Sequence, residues 1–195
     1  MSTNGAYGFY KNGVTKVTYN HCDSYPTWLG DEIVNNFCRV FTIAEMIEMF
    51  DRIVLVDDDT PVTPDMIDIA KKLNLVNTSV GENKIDDFYC LFHNAQGNLA
   101  IYSNPEMKWM DDWSDFLQSS IFCEWAYIIN LDTNMLEVYT GHVLEIPVDS
   151  RYYNPNEDYE ILSNKKYYCV KPIAEFPLDG KLESWDSKNV EGLDG

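Results

Sequence analysis

Three consecutive side chains, His21, Cys22 and Asp23, form the densest reactive cluster in the chain. An imidazolium beside a thiol favours the thiolate, the nucleophilic form, so the triplet is a candidate centre for a small cysteine-dependent hydrolase or transferase. Adjacency in sequence works against that chemistry, because neighbours on an extended segment point to opposite sides. The structural alternative is a loop in which His21 and Asp23 bond to backbone while Tyr25, Pro26 and Trp28 pack inward. Metal chemistry has less support. The chain's three imidazoles are His21, His93 and His142, and no CxxC or HExxH spacing places two ligands on one surface. No metal and no cofactor is expected.

Carboxylates are the second source of chemistry. Asp57, Asp58 and Asp59 follow an apolar run; Asp86 and Asp87 precede another; Asp111, Asp112 and Asp115 alternate with Trp109 and Trp113. Carboxylates near helix starts stabilise those starts, and surface acidity keeps a protein soluble. Those roles leave the size of the imbalance unexplained: 14 basic residues stand against 32 acidic ones, a net charge of −18. Residues 1–30 carry two bases and one acid, so the acidity belongs to the chain from Asp31 onward. Such a field repels nucleic acid and anionic membranes and attracts basic proteins. Rows of carboxylates with rings between them can occupy a basic groove in place of phosphates and bases. Asp57, Asp58, Asp59, Asp86, Asp87, Asp111, Asp112 and Asp115 are therefore the expected partner-binding residues, with Trp109 and Trp113 as anchors.

The elements that must position these groups follow from local pattern. Asn12-Gly13 between Tyr7–Lys11 and Val14–Asn20 predicts a two-residue β-hairpin, because both turn positions tolerate positive φ. A loop over 21–30 leads to a helical stretch from Asp31. Thr42 and Glu45 form a capping box for a helix to about Asp51, and Thr63-Pro64 starts another through about Leu73. Between them, Ile53–Val56 reads as a buried strand ending in the aspartates. Ile85, Phe88, Tyr89, Leu91 and Phe92 suggest a third helix; Trp109, Trp113, Phe116 and Leu117 suggest a fourth by their i, i+4, i+7, i+8 spacing. Glu124–Asn130 and Met135–Thr140 predict a second hairpin around Leu131-Asp132-Thr133-Asn134, and 165–173 a further strand. The expected fold is α+β, a largely antiparallel sheet from the N- and C-terminal hairpins with helices on it. One domain over 1–195 is expected, loose from about 182.

No segment approaches 18 consecutive apolar residues, and the N-terminus lacks a basic, then apolar, leader. The five cysteines are scattered, as reduced thiols are. A cytoplasmic protein of a bacterial host cell is the expectation, binding neither nucleic acid nor membrane directly.

Three resemblances bear on function. The run into Asp57-x-Asp59 resembles the DxDx(T/V) loop of haloacid-dehalogenase phosphohydrolases, which implies an aspartate that attacks phosphorus and one that handles the leaving group and magnesium. Pro61 stands where threonine or valine is expected, and the strand-helix alternation of that fold is missing. The blocks Tyr7–Val14, Val17–Pro26 with Leu29-Gly30, and Cys123–Asp132 resemble a family of uncharacterised proteins from bacteria, phages and mobile elements. Hairpin, D-x-Y-P loop and late hairpin also resemble parts of an N-terminal-nucleophile-hydrolase-like sandwich, which gives an alternative fold. These features lead to one expected function: an acidic phage or mobile-element protein that inhibits a basic, nucleic-acid-binding host defence protein, such as a CRISPR or restriction effector, by direct binding. The alternative is the cysteine-dependent enzyme built on His21, Cys22 and Asp23.

Overall fold

Asn12 and Gly13 both take positive φ, 51° and 80°, and the chain reverses there into a seven-residue antiparallel pair, β1 (Gly5–Lys11) with β2 (Val14–Asn20). The computed structural model describes residues 3–155, 160–180 and 182–193. A helical stretch over 26–38 follows, with one α turn, α1 (Asp31–Ile33), between wider-pitched turns. Then come α2 (Ile43–Arg52), β3 (Val54–Val56), α3 (Pro64–Lys72), α4 (Phe88–Leu91), β4 (Trp109–Asp111), β5 (Trp125–Asn130), β6 (Met135–Thr140), β7 (Glu160–Leu162), β8 (Lys165–Tyr167), β9 (Lys171–Pro177) and α5 (Ser187–Glu191).

The main sheet has five strands in the order β2-β1-β5-β6-β9. Its pairs are antiparallel except β1 with β5, which run parallel with Tyr7 opposite Tyr127. The fold is thus α+β with a mostly antiparallel sheet. Alternation along the strands divides the core into two. Tyr7, Phe9, Trp125, Tyr127, Ile129, Leu136 and Val138 bury themselves under the helices, against Ile33, Phe37, Met46 and Phe50. Ala6, Ala126, Ile128 and Tyr139 face the other way, against Leu117, Tyr152 and Val170. A sandwich would need a second sheet stacked on that face. Among the described residues it is covered by irregular chain instead, and the remaining sheets are the two-stranded pairs β3-β4 and β7-β8.

On the Ala6 side of the sheet, β1 and β2 also lie close at one glycine. A Cβ on Gly8 would lie 2.1 Å from the Lys16 carbonyl oxygen, so the β1-β2 ribbon has room for hydrogen there alone. The same face holds a buried ion pair. Glu137, on β6, is 2% exposed and accepts hydrogen bonds from Asn130 Nδ2 (2.7 Å), the Tyr139 hydroxyl (2.9 Å) and Arg151. The Arg151 guanidinium also lies 4.0 Å from the Tyr10 ring centre, which ties the 143–155 segment to the sheet.

Both caps form as their sequences require. Thr42 Oγ1 accepts from Glu45 N (3.3 Å) while the Glu45 carboxylate accepts from Thr42 N (2.7 Å); Thr63 Oγ1 accepts from Met66 N (3.3 Å). The apolar segments fare differently. Trp109 to Leu117 is not a helix: Trp109–Asp111 is strand β4, and Ser114–Gln118 is a short 3-10 turn. Tertiary pairing overrides the helical spacing, because Trp109, Met110 and Asp111 pair in parallel with Val54, Leu55 and Val56. The third expected helix shrinks to Phe88–Leu91, and the strand expected over 165–173 divides into β8 and the start of β9. At the chain's end Leu182 and Val190 are buried in the helical-side core, and Trp185 Nε1 donates to Asp31 (2.7 Å).

Candidate functional site

The β3-β4 pair ends in acids on both strands. Val54 N donates to Lys108 O (2.7 Å) and Asp112 N to Val56 O (2.8 Å), so the aspartates after β3 and those ending β4 leave the pair at the same end. Trp113 N then donates to Val17 O (3.1 Å), which fastens this end to β2 of the main sheet. Between these strands and α4 lies a cavity of about 210 Å³ lined by Asp57, Asp58, Asp87, Tyr89, Asp111, Asp112 and Trp113. A second cavity, of about 430 Å³, adjoins it through Asp58 and Asp87 and adds Glu82, Lys84 and Asp86. Carboxylates from three segments far apart in sequence thus face common space.

Four of the five acids of the first cavity, Asp57, Asp87, Asp111 and Asp112, are held in place by their local turns. Asp57 accepts from the Thr60 hydroxyl (2.7 Å); Asp87 caps α4, accepting from Tyr89 N (2.9 Å) and from the Cys90 thiol (3.2 Å). Asp112 accepts from Ser114 N and Oγ (2.9 and 2.7 Å), and Asp111 from the Trp113 indole (2.7 Å). All these donors are neutral. The ion pairs among the described residues are Lys11–Asp51, Lys72–Glu106, Lys84–Glu82 and Arg151–Glu137, so none compensates the first cavity. Asp111 is the most enclosed of the group. Burial, opposed by the indole hydrogen bond and reinforced by Asp58, Asp87 and Asp112, pushes its carboxyl up to about 7.

Not every expected acid belongs here. Asp59 and Asp115 are exposed but do not line either cavity, and Asp86 lines the outer one alone. Trp109 is a correction. It is 7% exposed and packed into the helical-side core, because β4 turns its ring inward, so it offers no anchor to a partner. Trp113 is half-buried and does reach the cavity. Tyr89, which sequence reasoning missed, lines the cavity beside it; the signal was its place next to Asp87 on a turn whose apolar neighbours, Phe88 and Leu91, are core.

His21, Cys22 and Asp23 lie next to this site. Tyr19, two residues before His21, stacks on Trp113 with ring centres 4.8 Å apart and lies 6.2 Å from Tyr89. His21 Nδ1 is 3.3 Å from the Tyr19 hydroxyl, and His21 N donates to Gln96 Oε1 (2.9 Å). The loop itself is built by backbone ties: Asn20 Nδ2 donates to Cys22 O and to Ser24 Oγ, Ser24 N to Thr3 O, and the Tyr127 hydroxyl to Ser24 O. Pro26 and Leu29 turn inward, whereas Tyr25 (37%) and Trp28 (66%) are exposed, against the expectation that both pack inward; the helical twist after Pro26 carries Trp28 to the outer side. Cys22 is exposed, but partial burial, together with the charge and hydrogen bonding of Asp23, raises its thiol above the ordinary value. A thiolate nucleophile needs the opposite.

Among the described residues, no group of three or more His, Cys, Asp or Glu side chains is placed to hold a metal ion. The acids spread around their cavities without converging on one point. No family model, curated protein or solved structure matches the chain. No helix among the described residues is long and apolar enough to cross a membrane.

Proposed function

We propose that this chain is an acidic inhibitor that binds a basic, nucleic-acid-binding host defence protein through the face formed by Asp57, Asp58, Asp86, Asp87, Asp111, Asp112 and Trp113. The observation that carries this reading is the gathering of seven carboxylates, Glu82 included, around two adjoining cavities whose lining has one basic side chain, Lys84. Lys84 is itself paired with Glu82 at 2.6 Å. Asp57, Asp58 and Asp86 are exposed and outside every ion pair of the described residues, so their charge is directed outward, where lysine and arginine of a phosphate-binding groove complement it. Tyr89 and Trp113 add ring surface at the same place, suited to the cations and apolar stems of those side chains. The defence setting is the one expected from the sequence blocks Tyr7–Val14, Val17–Pro26 and Cys123–Asp132, and it is part of the proposal.

The test is displacement of a labelled oligonucleotide from a basic effector by the purified protein, followed over a salt series. Affinity should fall at least tenfold between 0.1 and 0.5 M NaCl, since the attraction is electrostatic. Joint Asp57→Lys, Asp58→Lys and Asp87→Lys substitution should remove displacement, while Asp115→Lys, outside the cavities, should leave it within about twofold. Association that ignores salt, or none at any salt, sinks the proposal.

A further inference from the structure

We propose that Asp111 is a proton-sensitive latch for the β3-β4 module: with its carboxyl neutral the module stays closed against β2, and ionisation loosens it. The module is slight, two three-residue strands in parallel, joined to the main sheet by the Trp113 N to Val17 O bond and by the Trp113–Tyr19 stack. Asp111 sits where those ties meet, because its carboxylate accepts from the very indole that stacks on Tyr19.

The elements around it bring acids and tyrosines to face it, and of these Asp58, Asp87 and Asp112 oppose its ionisation. Asp57 and Asp58 come from the loop after β3, Asp87 and Tyr89 from the start of α4, and Asp112 from its own strand end. Tyr19 on β2 shares a small gap with it, and Tyr102 lies close enough for its own ionisation to be opposed by Asp111. None of the ion pairs among the described residues reaches this carboxyl. A neutral Asp111 keeps the indole bond at little cost. An ionised one, partly desolvated and facing Asp58, Asp87 and Asp112, gains by turning out toward water, which draws the Trp113 indole off its stack on Tyr19 and strains the bond to Val17.

The sign of the effect follows from the same balance. The folded state holds this proton up to about pH 7, whereas the unfolded chain releases it near 3.8. Stability from Asp111 is therefore complete below the lower value and is lost as pH rises through the upper one. The experiment is hydrogen exchange on the protein alone at pH 5 and pH 8, corrected for intrinsic rates. Protection of the Asp112 and Trp113 amides should fall tenfold or more in the native protein and less than twofold in Asp111→Asn, with Ile128 in the central sheet unchanged in both. An equal fall in the two proteins, or none in the native one, overturns the latch. If the variant fails to fold, the carboxyl-carbon NMR titration of Asp111 in the native protein decides: a midpoint near 7 supports the latch and one below 5 overturns it. No basic partner is present in either measurement, so failure here leaves the binding proposal standing.

Discussion

Cys22 shows how far residue type can be from residue chemistry. A cysteine between a histidine and an aspartate has the composition of a nucleophilic centre, yet its thiol is shifted away from ionisation and its loop is held by Asn20, Ser24 and Tyr127. At pH 7.5, iodoacetamide should alkylate Cys22 severalfold more slowly than it alkylates free cysteine, because less thiolate is present. Mass-spectrometric rates check this, and faster alkylation would return the enzyme reading to the front. Asp111 shows the converse. Its position beside Asp112 and near Trp113 was legible as a binding residue, but its raised carboxyl was not, because burial comes from tertiary packing and two of the charges facing it come from residues 58 and 87.

At the scale of elements, local chemistry spoke clearly wherever it was self-contained. The Asn12-Gly13 turn, the Thr42-Glu45 box and the four-residue turn Leu131-Asp132-Thr133-Asn134 each fix their own backbone, and the second hairpin spans Trp125–Asn130 and Met135–Thr140. Segments whose conformation depends on a distant strand were misread, as with Trp109–Asp111, whose partner lies over fifty residues earlier. Close approach is equally invisible in a sequence. Gly8→Ala should destabilise the protein by about 3 kcal/mol, since its methyl must displace the β2 backbone at Lys16. Urea denaturation checks the size; a loss under about 0.5 kcal/mol would mean the ribbon yields freely.

For the whole molecule, charge governs both behaviour and fold economy. At −18 the chain repels itself when compact, and the crowding of carboxylates around β3, β4 and α4 concentrates that repulsion. Raising NaCl from about 0.02 to 0.3 M shortens the screening length from about 20 Å to about 6 Å. The melting temperature should rise by roughly 2–4 °C, the response to about 1 kcal/mol in a domain of this size. A melting temperature that stays level or falls would show that the acids are compensated in ways other than screening. Turn chemistry, side-chain period and composition are local, and they suffice for the α+β class, the two hairpins, the helix caps and the placing of acidity after Asp31. Long-range packing alone brings the acids of residues 57–58, 82–87 and 111–112 around adjoining cavities, makes Trp109 core while Trp113 reaches the first cavity, and sets the near-neutral His21 loop beside it through Tyr19. Those outcomes rest on the parallel pairing of β3 with β4 and the docking of Trp113 on β2, contacts between distant segments that no local pattern encodes.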